Sequence, residues 1–136
     1  MSESGLKPVY WVASARKDLK AFPAPVRRNI GLALDAAHRG GKSLAAKPLR
    51  GKSFPGASVL EVVEDFHSDT YRAVYTVRFA EAIYVLHCFQ KKSKRDIATP
   101  QQEIEVIRHR LRDAEDDYQE RIAQSSQQRK RGHYET

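Results

Sequence analysis

The residue types best suited to chemistry are concentrated in one stretch of the sequence, residues 70–99. An arginine can bind two oxygens of a phosphate group at once, and a histidine, with an ordinary pKa of about 6.5, can exchange a proton near neutral pH. The candidates in this stretch are Arg72, His87, Lys91, Lys92, Lys94 and Arg95. Together they predict a surface that binds an anion, provided that neighbouring strands bring them close.

Three runs of β-branched and aromatic residues predict an antiparallel meander, with strands at 58–66, 70–79 and 82–90. Only two residues separate the second run from the third, which is the length of a tight hairpin turn. Pairing across that turn places Arg72 opposite Phe89 or Gln90. Arg72 would then lie beside Lys91 and Lys92, which follow the third run.

Side-chain alternation divides the middle strand into two faces. We expect the apolar face to lie on the core, under the helices, and it comprises Tyr71, Ala73, Tyr75, Val77 and Phe79. The other face is mixed, and we expect it to be partly open to water and to line a groove; it comprises Arg72, Val74, Thr76 and Arg78.

His87 shares its strand face with Val85 and Phe89, and both faces of that strand carry apolar groups. We therefore favour a histidine at the edge of the core, with its nitrogens hydrogen bonded, over a catalytic acid or base. The catalytic role stays open if the ring faces the groove.

The flanking segments supply the remaining elements. A compact apolar run predicts a strand at 9–13, and Ser14 can cap a helix that ends before Pro23. Pro25 opens a second helix that closes at two glycines, 40 and 41. Residues 43–56 contain two prolines and two glycines, and they predict a loop that carries three cations, Lys47, Arg50 and Lys52.

Thr99 and Pro100 predict the start of a last helix. Its apolar positions recur every three or four residues and comprise Ile104, Ile107, Leu111, Ala114, Tyr118 and Ile122. The periodicity is lost after Gln124, so we expect residues 125–136 to form a disordered basic tail.

This order predicts an α+β fold: a small antiparallel sheet of an N-terminal strand plus a three-stranded meander, with an N-terminal helical hairpin and a long C-terminal helix, the helices packed on one face. We expect a flexible leader at 1–8 and one domain at 9–124.

The 136 residues carry a formal net charge of +7, which favours an anionic partner such as nucleic acid. A single cysteine, Cys88, and no apolar N-terminal run predict a reduced, cytoplasmic protein.

Two segments carry a resemblance to a known family. They are YRAVY at Tyr71–Tyr75 and YVLHCFQKKSKRDIATPQQEIEVIRHRL at Tyr84–Leu111. In combination with the N-terminal strand and helical hairpin, they resemble the RelE/ParE superfamily of bacterial toxins, and more narrowly its phage Gp49-like, HigB-type branch. The resemblance covers residues 9–111.

The resemblance implies the toxin of a type II toxin–antitoxin system, a ribosome-dependent mRNA endoribonuclease that inhibits translation. Such enzymes use neither metal nor cofactor: the ribose 2′-hydroxyl attacks the neighbouring phosphate. A cognate antitoxin, often a helix-turn-helix protein, neutralises the toxin in a hetero-oligomer. Arg72 matches the phosphate-binding arginine, and Lys91 and Lys92 match the basic residues after the last strand.

The resemblance leaves the acid–base set incomplete. RelE-type nucleases carry lysines on the first meander strand, where this chain has Glu61, Glu64 and Asp65, and Tyr118 fits packing better than catalysis. His87 could complete the set, and Arg50, Lys52, Lys94 and Arg95 could contact RNA. Two alternatives remain, a ParE-like toxin that inhibits DNA gyrase without enzymatic activity and a nucleic-acid-binding module. Convergence of Arg72 with the lysines on an open concavity would favour the nuclease, whereas burial of Arg72 against Glu61 would count against it.

Overall fold

The structure is a computed structural model that describes residues 6–49, 54, 58–91 and 99–135, with side chains to residue 127. The elements in chain order are β1 (Val9–Trp11), α1 (Ala15–Lys20), α2 (Ala24–His38), β2 (Ala46–Pro48), β3 (Val59–Phe66), β4 (Asp69–Thr76), β5 (Ile83–Lys91) and α3 (Gln101–Glu135). The predicted α+β class is confirmed.

The five strands form one sheet in the order β1-β5-β4-β3-β2. Strands β3, β4 and β5 form the predicted antiparallel meander, and Arg72 pairs with Phe89 as the turn length predicts. The prediction of an entirely antiparallel sheet is wrong at β1, which runs parallel to β5 with Val9 opposite Ile83. A parallel edge is available to β1 because the long chain between the two strands can return to the same end of the sheet.

Strand β2 lies in the segment that the sequence predicts to be loop. Ala46 pairs with Val62, and Pro48 pairs with Leu60 at the edge of the sheet. An edge strand tolerates proline, because its outer edge has no neighbouring strand that would need an N–H donor. Three residues that include a proline give no readable strand pattern, so the loop prediction is wrong here.

The helices cover both faces of the sheet, and the prediction that they share one face is wrong. On one face, Val26 and Ile30 of α2 pack with Ala73 and Tyr75 of β4. On the other face, α3 packs against the sheet through a stripe of buried residues, Ile104, Ile107, Leu111 and Ala114. The mixed face of β4, expected to be partly open to water, is buried at Arg72, Val74 and Thr76.

Ser14 and Gly40 lie at the helix ends where the sequence predicts capping residues. Ser14 precedes α1 as predicted, but its hydroxyl donates to the Asp18 carboxylate at 2.7 Å and makes no cap bond to the backbone. Gly40 has a φ of 87° just after α2, where a residue with a Cβ would be strained.

Strand β4 ends at Thr76, so the alternation does not continue to Phe79. That ring was expected on the face of Tyr71, but it packs on the α3 side against Tyr84 and Tyr118, with ring centroids 5.3 and 4.6 Å away. The contact confirms the packing interpretation of Tyr118.

Helix α3 continues to Glu135, through the segment that was expected to be disordered from residue 125. Glutamine, arginine and lysine are good helix formers, and extending an existing helix costs far less than starting one. Within the part of the chain that the structure describes, no helix is long and apolar enough to cross a lipid bilayer.

Candidate functional site

Arg72 is the centre of the candidate site, and it is buried. The residue is 2% exposed, at the middle of β4. Its Nη1 donates to the Thr99 hydroxyl at 3.0 Å and lies 3.7 Å from Glu61 Oε2. A buried guanidinium needs such partners, because an uncompensated charge inside a protein costs several kcal/mol.

The expected groove does not reach Arg72 in this conformation. Thr99, just before α3, and Glu61 of β3 both lie close to Nη1 of the guanidinium. On the same sheet face, Val63 pairs directly with Arg72 and is 39% exposed. Solvent therefore reaches the sheet one strand away from the arginine but not the arginine itself.

His87 lies on the same sheet face as Arg72 and is held by two side chains of α3. Its Nε2 is 3.1 Å from Glu103 Oε2, and its Nδ1 is 3.2 Å from Arg110 Nη1. A guanidinium can only donate, so Nδ1 must accept and the proton of the neutral ring lies on Nε2, which donates to Glu103. The ring also stacks on Phe89 at 4.9 Å.

Burial is the main reason why the pKa of His87 is lowered from 6.5, and the charge of Arg110 lowers it further, against the opposing effect of Glu103. The ring is therefore neutral at pH 7, with both nitrogens hydrogen bonded. This geometry agrees with the interpretation of His87 as a hydrogen-bonded histidine at the edge of the core.

Arg110 extends this network to the N-terminal part of the chain. Its guanidinium donates to the backbone oxygen of Leu86 at 3.0 Å and to the Ser14 hydroxyl at 3.1 Å. Because Ser14 in turn donates to Asp18, the network connects α3, β5 and α1.

Sequence reasoning missed three residues of this site, Thr99 as a partner of Arg72 and Glu103 and Arg110 as partners of His87. One signal was available for the last two: they lie seven residues apart, with Ile107 midway, on the α3 stripe that faces β5. Nothing in the sequence indicates which strand residues they meet.

Lys91 ends β5 on the same face as Arg72 and His87, opposite Thr70, and is partly buried. The other predicted cations, Lys92, Lys94, Arg95, Arg50 and Lys52, lie outside the described residues. The predicted roles of all these residues in catalysis or RNA binding stay predictions.

Aromatic and charged groups fix the middle of α3 to the sheet at some distance from Arg72. The Tyr84 hydroxyl donates to Asp117 at 2.6 Å, and the Arg121 guanidinium lies 3.7 Å from the centre of the Tyr10 ring. The bond from Tyr84 is the main reason why the pKa of Asp117 is lowered. These contacts give α3 a second attachment that does not involve His87.

Among the described residues, no group of three or more His, Cys, Asp or Glu side chains is placed to bind a metal ion. Cys88 is buried, and burial raises the pKa of its thiol to about 12, so it is a poor nucleophile in the folded chain.

Comparison with known proteins identifies the family. The model of the family described as phage derived protein Gp49-like matches residues 17–112, which include the end of α1, every element from α2 to β5 and the first turns of α3. No curated protein matches the chain. The family is a RelE/HigB-type toxin branch and is consistent with the toxin of a toxin–antitoxin system, which implies a cognate antitoxin as partner. The chain, matched over most of its length, belongs to this Gp49-like family.

Proposed function

We propose that the protein is the toxin of a type II toxin–antitoxin system and acts as a metal-independent, ribosome-dependent mRNA endoribonuclease that inhibits translation. Membership of the Gp49-like toxin branch carries this proposal. The net charge of +7 supports it, because a basic protein is attracted to the phosphate backbone of RNA. A cognate antitoxin would neutralise the toxin.

In the proposed reaction, positively charged side chains take the place of a metal ion in stabilising the negative charge that develops on the phosphate. The ribose 2′-hydroxyl attacks the adjacent phosphorus, the bond from phosphorus to the 5′-oxygen breaks, and the products are a cyclic phosphate and a 5′-hydroxyl. Arg72 would hold the non-bridging oxygens, and Lys91 would add a second positive charge. Both lie on the sheet face that also carries His87.

One observation favours a second candidate, a ParE-like inhibitor of DNA gyrase. Arg72 is buried against Glu61, and both nitrogens of His87 are hydrogen bonded. A toxin that acts by binding alone needs neither an accessible arginine nor an accessible acid or base.

Cleavage mapping separates the two candidates. The chain is induced in cells and mRNA 5′ ends are mapped, together with Arg72→Lys, which keeps the buried charge but loses the bidentate geometry. The matched control is Arg78→Lys, on the segment after β4, where Arg78 forms an exposed ion pair with Glu115.

We expect new codon-associated 5′ ends with the wild type and the control, and at least a tenfold loss with Arg72→Lys. Intact mRNA together with inhibited supercoiling would refute the nuclease and support the gyrase inhibitor.

A further inference from the structure

The burial of Arg72 conflicts with a role in holding RNA, and its partners suggest how the conflict is resolved. We propose that Thr99 and Glu61 hold Arg72 in a closed, autoinhibited state, and that a substrate phosphate takes the place of the Thr99 hydroxyl on Nη1. This inference rests on the proposed function, since the anion that opens the site is an RNA phosphate.

The contact from Thr99 can be broken without moving α3. Thr99 precedes the first helical residue and is only partly buried. The helix itself is fixed by other groups, among them the buried Ile104 and Ile107 and the bond between Glu103 and His87. Rotation of the Thr99 side chain about χ1 is enough to take its hydroxyl away from Arg72.

The open surface beside Arg72 gives a phosphate a direction of approach. Val63, paired with Arg72, is 39% exposed, and neighbouring strands are about 4.8 Å apart. The Glu61 side chain, on the same face of β3, is 17% exposed. An anion that crosses Val63 therefore approaches the strand that carries Arg72.

The chemistry of the two partners favours exchange. A hydroxyl is a neutral acceptor, and a phosphate oxygen forms a shorter, stronger, charge-assisted bond to a guanidinium. Glu61 Oε2 lies 3.7 Å from Nη1, beyond ordinary hydrogen-bond distance, so its carboxylate offsets the charge of Arg72 and repels an incoming anion. Thr99 thus occupies one acceptor position on Nη1, and the negative charge of Glu61 lowers the affinity of Arg72 for an incoming anion.

The test uses the full chain with two substitutions that weaken the closed state by different means. Thr99→Val removes the hydroxyl and keeps the shape, with Thr99→Ser as its matched control, and Glu61→Gln removes the competing charge. The first readout is the rate at which phenylglyoxal modifies Arg72, resolved by peptide mass spectrometry. Arg39, whose side chain is 68% exposed, is the internal reference. The second readout is the affinity of the Arg72 guanidinium for inorganic phosphate, followed by NMR.

We expect Thr99→Val and Glu61→Gln each to raise the modification rate and the phosphate affinity by about threefold or more, the effect of losing one modest interaction. Thr99→Ser should match the wild type. Unchanged rates and affinities in both variants would overturn the inference and leave Arg72 with a structural role.

Folding and activity are controlled separately. If Thr99→Val loses the near-UV circular dichroism of the wild type, Glu61→Gln decides the question by the same two readouts. Neither readout depends on RNA cleavage, so a chain that cleaves no mRNA but opens at Arg72 would refute the nuclease and retain the closed state.

Discussion

Replacing Arg110 by methionine should destabilise the fold more than any exposed charge substitution on α3. The wild-type guanidinium donates to Leu86 O at 3.0 Å, to His87 Nδ1 at 3.2 Å and to Ser14 Oγ at 3.1 Å. Leu86 is 0% and His87 8% exposed, so two acceptors would lose their donor inside the protein. Each buried acceptor without a partner costs about 1–3 kcal/mol, and methionine regains some apolar contact. We expect the free energy of unfolding to fall by about 3 kcal/mol.

Urea denaturation of the purified chain, followed by circular dichroism, measures this change. The matched control is Arg108→Met, two residues earlier, where the arginine makes an exposed pair with Glu105 of the same helix. Such pairs contribute about 0.3–0.5 kcal/mol. The reasoning about Arg110 would be refuted by equal losses in the two variants. It would also be refuted by an NMR spectrum of the wild type with the His87 proton on Nδ1.

Three further outcomes are expected. The pKa of His87 is lower in the folded chain than in the unfolded chain, so as pH falls the unfolded ring gains its proton first and the free energy of unfolding decreases below about pH 6.5. In urea titrations, His87→Gln should therefore lose less stability between pH 7 and 5 than the control His109→Gln, which changes an exposed histidine. Cys88 should react with a disulfide reagent at pH 8 at least about 100-fold faster in urea than when folded, and equal rates would contradict its burial. Ala13→Gly, at a φ of 49°, and Gly31→Ala, on an open face of α2, should each raise stability by about 0.5–1 kcal/mol in thermal unfolding, and a loss would contradict the backbone argument.

The meander and its register could be predicted because they depend on local information. The short turn limits the partner of Arg72 to Phe89 or Gln90 without knowledge of any distant residue, and the structure has Phe89. Side-chain alternation did not predict which residues of β4 are buried, because it assigns polar side chains to the exposed face. Thr76 is 0% and Arg72 2% exposed. Their burial is tolerated because the Thr76 hydroxyl donates to Ser58 O at 2.9 Å and Arg72 donates to Thr99.

The candidate site was predictable in position but not in its contacts. The sequence predicted Arg72 beside the end of β5 that carries Lys91, and the register agrees, but it left open which side of the strand His87 faces. It could not show that α3 covers this face, because the apolar stripe of a helix does not identify the surface it meets. The irregularity in the pairing of β4 with β5, where Val74 pairs with His87 but Tyr75 pairs with Val85, also has no local signal.

The parallel edge strand has a consequence for the order in which the chain can fold. The meander joins neighbours in sequence, whereas Val9 of β1 must wait for Ile83 of β5 before it can pair. Contacts between distant residues pay a large loop-closure entropy, so they form late. During synthesis β1 is therefore made before the meander but can take its place in the sheet only after β5 has been made.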